Sequence, residues 1–284
     1  MAGEPGSPSP MKRLAGRLPA LLALGLPVLC GLAYMALFGA PAIYLLLNGA
    51  ALLLGLLWIA LGFLPRHLML RRSLALMLIV LLFLPLLTGP RINDIARWLP
   101  LGPLALHAGM LALPPLVVLA ASDEDDGALL LLVALFATLL QPDGSSAFAI
   151  TFACVGLYRA RQDWKVGAVM VAAFVVAIIA TLRGELPALP FVERVLVDAA
   201  FAMPAVALVL LAALVASLFL ILFPVSLPRA SRFALAGSLF GFAVSALMSN
   251  YPTPLIGFGA APILGYALAL SDRSILSLNP EPAR

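Results

Sequence analysis

The sequence predicts an all-α fold: a polytopic integral membrane protein of about ten transmembrane helices, with two short interfacial helices on its outer face. Three observations predict it. Of the 284 residues 63% are hydrophobic and only 11% charged, against about 25% charged in soluble proteins, and the mean hydropathy is +1.12. The apolar residues come in runs of about 20, the length that crosses a hydrocarbon core of roughly 30 Å. The basic residues are not scattered but gather in short connections between those runs.

The same numbers exclude other classes. A pI near 9.4 would suit a nucleic-acid binder, but basic residues confined to short loops are a topology signal, and no nucleic-acid partner is expected. Cys30 and Cys154 both lie inside apolar runs with no His or Cys at ligand spacing. They read as small buried hydrophobes, so neither a disulfide, a metal nor a cofactor is expected.

Residues 1–17 read as a disordered cytoplasmic tail ending in Lys12, Arg13 and Arg17, residues 18–270 as one transmembrane domain, and residues 271–284 as a second cytoplasmic tail. The first apolar run is long and lacks a small-residue cleavage site, which argues for a retained span rather than a secretory signal. The first span covers residues 18–38 and the second 41–64, with Pro41 tolerated in the first turn because its missing N–H would be unpaired there. Arg66, Arg71 and Arg72 form the loop before the third span, residues 73–88.

In residues 89–102, Ile92, Ile95 and Leu99 recur at helical spacing, Asp94 and Arg97 stand three apart, and Trp98 supplies an amphipathic ring. This pattern predicts the first interfacial helix. The fourth span, residues 103–121, leads into Ser122-Asp123-Glu124-Asp125-Asp126-Gly127, whose acids lack calcium-loop spacing and read as a solvated loop favouring the next helix dipole. The fifth and sixth spans, residues 128–140 and 145–158, are short and meet at Gln141-Pro142-Asp143-Gly144-Ser145-Ser146. Arg159, Arg161 and Lys165 precede the seventh span, residues 166–182. In residues 183–200, Phe191, Val192, Val195, Leu196 and Ala199 form an apolar stripe, while Arg194 and Asp198 have the spacing of a helical ion pair. A second interfacial helix is expected there. The eighth span is residues 201–223, and Pro224, Pro228, Arg229 and Arg232 form a turn before the ninth, residues 233–248. Pro252, Pro254, Gly257 and Gly259 bend the chain before the tenth, residues 260–270.

With the N-terminus in the cytoplasm, 13 of the 17 basic residues fall inside, all but Arg91, Arg97, Arg183 and Arg194. This bias sets both termini in the cytoplasm. It also gathers both interfacial segments, the Asp143 connection and the 252–259 bend on the outer face. An Asp in mid-bilayer costs about 3 kcal/mol on insertion scales, so Asp143 requires an interface, a cavity or a partner.

Each candidate residue has a structural and a functional reading. Asp143 is a cap on the sixth span, accepting the N–H of Ser145 or Ser146, or a substrate group. Arg97 pairs with Asp94 or serves as a cation, and Trp98 belongs to the aromatic belt or to a site. His107 reads as an interfacial histidine rather than a base; Glu193, Arg194 and Asp198 read as a solvated face or as site groups.

Three outer-face segments together resemble one family, the SEDS proteins of bacterial cell-wall synthesis (FtsW/RodA/SpoVE type), which have ten transmembrane helices. Arg97-Trp98-Leu99-Pro100-Leu101-Gly102 is similar to the family's Arg-Trp-x-x-Leu-Gly. Gln141-Pro142-Asp143-Gly144-Ser145-Ser146-Ala147 resembles its Gln-Pro-Asp-x-Gly-Thr-Ala, and Thr253-Pro254-Leu255-Ile256-Gly257-Phe258-Gly259 its Leu-Pro-Phe-Ile-Ser-Tyr-Gly. The chain departs from the family in two places. The family's Gln-Pro-Ser-Glu is replaced by His107, Ala108, Gly109 and Met110, and the large outer loop that carries an Asp thought to serve in glycosyl transfer is reduced to residues 183–200.

The resemblance implies a protein of the bacterial inner membrane that binds or polymerises the lipid-linked disaccharide-peptide lipid II, for division or cell shape, beside a partner transpeptidase or another divisome or elongasome membrane protein. It implies substrate contacts from Arg97, Trp98, Gln141, Asp143, Ser145, Ser146, Pro254 and Gly259, with Asp143, Glu193 and Asp198 as candidate catalytic acids. Because the loop Asp has no counterpart, a non-catalytic partner stands beside the polymerase. Two other readings stay open: a transporter or lipid flippase, motivated by the breaks at Pro142 and at 252–259, and a membrane scaffold without a ligand.

Overall fold

A computed structural model describes residues 15–62, 64–65, 67–93, 95–102, 104–183 and 186–272. The helices are α1 (Leu18–Leu37), α2 (Ala42–Leu61), α3 (Leu68–Phe83) with its short continuation α4 (Pro85–Thr88), α5 (Ala108–Ala120), α6 (Gly127–Leu140), α7 (Gly144–Arg161), α8 (Trp164–Arg183), α9 (Val195–Ala202), α10 (Pro204–Leu222), α11 (Arg229–Met248) and α12 (Ala260–Leu270). The stretches read as spans are helical. Six of the helices, α1, α2, α3 with α4, α8, α10 and α11, are long and apolar enough to cross a membrane, and α5, α6 and α12 are shorter apolar helices. The chain is a multi-pass membrane protein.

Lipid offers no hydrophobic drive between helices, so close packing must hold the bundle together, and small residues at the contacts allow it. The tightest contact joins α7 to α11. A Cβ added at Gly241 would lie 2.7 Å from Ala149 Cα, so these two helices meet backbone to backbone, as they do again at Gly156 and Gly237. On its other side α7 packs on α8, while α5, buried along nearly its whole length, lies among α3, α11 and α12. Large exposed apolar residues such as Leu53 and Leu208 point outward, where lipid is their solvent.

The connections fall on two faces. On one, arginines meet acids: Arg71 pairs with buried Asp272 at 2.8 Å, Arg72 with Asp123 at 2.6 Å and Asp126 at 3.0 Å, and Arg161 with Glu124 at 3.8 Å. Two sequence readings are corrected here. Arg71 and Arg72 lie inside α3 rather than in the loop before it, because these carboxylates neutralise them. Residues 122–127 are not simply solvated: Asp123 is buried, its Oδ1 accepts the N–H groups of Asp125 and Asp126, and the hydrogen bond from Arg72 holds its carboxyl below the usual range.

On the opposite face the first interfacial helix is corrected and the second is shortened. Residues 98–101 and 104–107 form an antiparallel pair, β1 (Trp98–Leu101) and β2 (Leu104–His107), with Trp98 opposite His107, and Ile92 and Ile95 form an isolated bridge. Pro90 and Pro100 cannot donate within a helix, and Gly102 takes the φ of +60° that the hairpin turn needs. The fourth span therefore starts at Ala108. In the second segment only α9 is helical, since Pro187 and Pro190 break the stretch before it. Arg194 and Asp198 are both exposed and form no side-chain pair; Arg194, at φ +55°, is the N-cap of α9. Asp94, Arg66, Lys12, Arg13, Arg273 and Arg284, which also enter the sequence analysis, lie outside the described residues.

Candidate functional site

Asp143 is fully buried at the N-cap of α7. Its Oδ1 accepts the hydroxyl of Ser145 at 2.8 Å and the N–H of Ser146 at 3.2 Å, and the Ser146 hydroxyl donates to Oδ2. The cap reading holds for this residue. The carboxylate also faces charge from elsewhere in the chain: Arg97 Nη1 stands 4.0 Å from Oδ1, and His107 Nε2 stands 3.6 Å from Oδ2.

The hairpin brings those two partners together. Arg97 precedes β1 and His107 ends β2, and the Ala108 N–H donates to the Arg97 carbonyl at 3.0 Å. Gly109 then lets α5 start hard against α7, since a Cβ there would lie 3.1 Å from Asp143 Oδ2. Arg97, 2% exposed, lies between the rings of Trp98 and Tyr251 at 5.1 and 5.0 Å, an arrangement that favours its charge without water. Tyr251 closes the cluster by accepting the N–H of Gly144 at 3.2 Å.

The protonation pattern follows from the bonds. His107 Nδ1 accepts the Met110 N–H at 3.2 Å, so the neutral ring carries its proton on Nε2, on the side of Asp143. Burial holds the imidazole below its ordinary value against the opposing pull of Asp143. Burial would raise the Asp143 carboxyl, but His107, Arg97 and the two serine hydroxyls outweigh it and keep it below the usual range. The cluster is thus an Arg⁺–Asp⁻ pair with a neutral histidine. Two of its buried donors, Arg97 Nε and His107 Nε2, have no hydrogen-bond acceptor.

The remaining candidates divide. Gln141 is buried and its amide donates to the Leu82 carbonyl, which fastens the α6–α7 corner to α3. Glu193 is 7% exposed and accepts the Leu189 N–H at 2.6 Å; burial pushes its carboxyl up, eased by backbone hydrogen bonds and by the charge of Arg97. Glu193 therefore belongs to the neighbourhood of Arg97, whereas Asp198 is exposed on α9 and bonds to no member of the cluster. Pro254 and Gly259 lie in the 249–259 loop, which is stitched to the segment before α9: Thr253 N–H donates to Val192 O at 2.9 Å, and Val195 N–H to Thr253 Oγ1 at 3.2 Å. Among the described residues no cluster of His, Cys, Asp or Glu is arranged to hold a metal.

Two residues escaped the sequence reading. Asn48, buried within α2, donates to Gly257 O at 2.9 Å and accepts from Gly259 N–H at 3.0 Å, so one side chain clamps both sides of Phe258. A lone amide in an apolar run was the available signal. Tyr251 gave none, because its partners Arg97 and Gly144 lie far away in sequence.

No protein-family model matches the chain, and no curated protein matches it in sequence. Solved structures do. Thermus thermophilus rod shape determining protein RodA superposes with a TM-score of 0.64 at 21% identity, over 90% of this chain and 94% of that one. The fold is that of RodA. A single-substitution variant of the same RodA gives 0.65 at 23% identity, over 92% and 95% of the two chains. A chain from a peptidoglycan synthase complex, solved to address how polymerization and crosslinking are coordinated, gives 0.59 at 22%, over 89% and 96%. The RodA-like fold accounts for the breaks at Pro142 and 252–259: they are connections between packed helices on one face, tied down by Asp143 and Asn48.

Proposed function

We propose that this chain is a SEDS-type protein of bacterial cell-wall assembly that binds a polyprenyl-pyrophosphate-linked disaccharide-peptide, lipid II, on the face that carries Asp143. The observation that carries the reading is the buried Arg97–Asp143–His107 cluster, with two donors lacking acceptors, set in a RodA-like fold. A buried donor without an acceptor costs about 1–3 kcal/mol, which an oxygen of a bound ligand would recover. Because Asp143 already balances Arg97, the cluster suits a sugar or amide oxygen. The exposed Arg91, Arg183 and Arg194 supply cations for the pyrophosphate outside it.

Catalysis, where it occurs, falls to Glu193 rather than to Asp143 or Asp198. Asp143 is saturated by its serines and held ionised, Asp198 lies apart, and burial raises the Glu193 carboxyl above its ordinary value, the direction that favours a general base. The short connection before α9 equally suits a non-catalytic partner, and the complex from which one structural relative comes supports a transpeptidase-type companion. The reading includes the bacterial cytoplasmic membrane, both termini in the cytoplasm, and a single transmembrane domain over 18–270.

The test supplies lipid II to the purified protein, with and without a transpeptidase. Binding that Arg97→Ala abolishes is the expected result, and glycan chains that Glu193→Gln eliminates would identify the polymerase. Binding without polymer under any condition leaves the partner role, and no binding at all overturns the proposal.

A further inference from the structure

Beside the cluster the bundle holds a cavity of about 180 Å³. It exists because α8 and α11 both pack on α7 but scarcely touch each other, which leaves a slot with α7 as its floor. Phe148 and Ser245 are buried in it, while its rim is built from residues that face lipid: Ile178, Leu182, 81% exposed, and Met248, 70% exposed. Tyr251 lines it too, the residue that holds Gly144 by its hydroxyl and Arg97 by its ring. Thr181 also lines it, on the outer-face turn of α8, and Arg183 stands two residues further on, exposed where that helix ends.

We infer that this slot takes the phosphate-proximal isoprene of the polyprenyl chain, entering from the bilayer between α8 and α11. The inference rests on the lipid-linked substrate proposed above and adds where its tail lies. Size suits a small occupant: a cavity of about 150 Å³ takes benzene, so this one holds roughly one branched five-carbon unit. Its walls are almost wholly apolar, as that occupant requires. Continuity chooses the source. A chain seated in the slot lies against Thr181, two residues before exposed Arg183, and against Tyr251, whose ring meets Arg97 at 5.0 Å, whereas an ordinary bilayer lipid gains nothing from those polar neighbours.

The test uses the full chain in nanodiscs of phosphatidylethanolamine and phosphatidylglycerol, with a polyprenyl phosphate carrying a diazirine on the isoprene next to the phosphate. Labelling is expected on Phe148, Ile178 and Met248, and is displaced by unlabelled polyprenyl phosphate but not by excess phosphatidylglycerol. Filling the slot from either wall, by Ile178→Trp or Met248→Trp, excludes the equivalent of about two methylenes and should lower labelling about tenfold. Labelling as strong on the lipid-facing side of α2 at Leu53, or displacement by phosphatidylglycerol, overturns the inference, as does full labelling in both tryptophan variants. A tail-free disaccharide pyrophosphate is titrated separately on the native chain. Its failure to bind sinks the precursor reading without touching the slot, and misplaced labelling sinks the slot without touching head binding.

Discussion

Arg97 and Asp143 are each nearly sealed from solvent, and their opposite charges face each other across 4.0 Å. Removing one partner of such a pair strands a charge, at a cost of roughly 3–5 kcal/mol. Arg97→Ala should therefore lower the thermal midpoint in detergent sharply, and Arg97→Ala combined with Asp143→Ala should recover part of the loss. A double variant no more stable than the single one would show that Asp143 matters as a cap and not as a counter-ion. Glu193 offers a pH-dependent counterpart. Its raised carboxyl means that the folded chain keeps this proton to higher pH than the unfolded chain, so its effect on stability turns unfavourable as pH rises above the ordinary glutamate value of 4.5. Glutamine keeps the acceptor for the Leu189 N–H without the charge. Glu193→Gln should be more stable than the native chain at neutral pH and equal to it below that value, as read by thermal melts across pH. A gap that widens toward acid would contradict this assignment.

At the scale of elements, what the sequence reveals depends on how local the physics is. The spans were legible because each is a long apolar run, and the Asp143 cap was legible because donor and acceptor stand three residues apart. The hairpin was not: Ile92, Ile95 and Leu99 fit a helical period, and only the prolines and Gly102 argued for extended chain. His107 could be read as interfacial, but its approach to Asp143 depends on strand register, which a short polar segment does not advertise. Arg71 and Arg72 read as loop residues in the sequence because Asp123 and Asp272, which let α3 begin earlier, are distant along the chain. Asn48 shows the same limit and gives an element-level test. Its two hydrogen bonds fasten the 249–259 loop to α2, and each buried bond contributes about 1 kcal/mol. Asn48→Ala should cost about 2 kcal/mol, with the amides of Gly257 and Gly259 exchanging faster than those of α11. Loss spread evenly over the bundle would argue against a clamp specific to that loop.

Over the whole molecule, the two faces are chemically unlike. One carries the Arg71–Asp272, Arg72–Asp123 and Arg161–Glu124 pairs; the other carries the hairpin, the Asp143 corner, Glu193 and the 249–259 loop. The fold sets these at opposite ends of one bundle. The proposed orientation puts the face richer in arginine in the cytoplasm, because arginine resists translocation. Cysteine labelling reads the orientation directly. Asp125, whose side chain is 88% exposed, marks the arginine face, and exposed Arg194 marks the other. Native Cys154 is buried within α7 and Cys30 partly so within α1, which keeps the background low. A membrane-impermeant maleimide added to intact spheroplasts should label Arg194→Cys at once and Asp125→Cys only after permeabilisation. The reverse pattern would place the Arg97–Asp143 cluster on the cytoplasmic side, and the proposed function would fall with it.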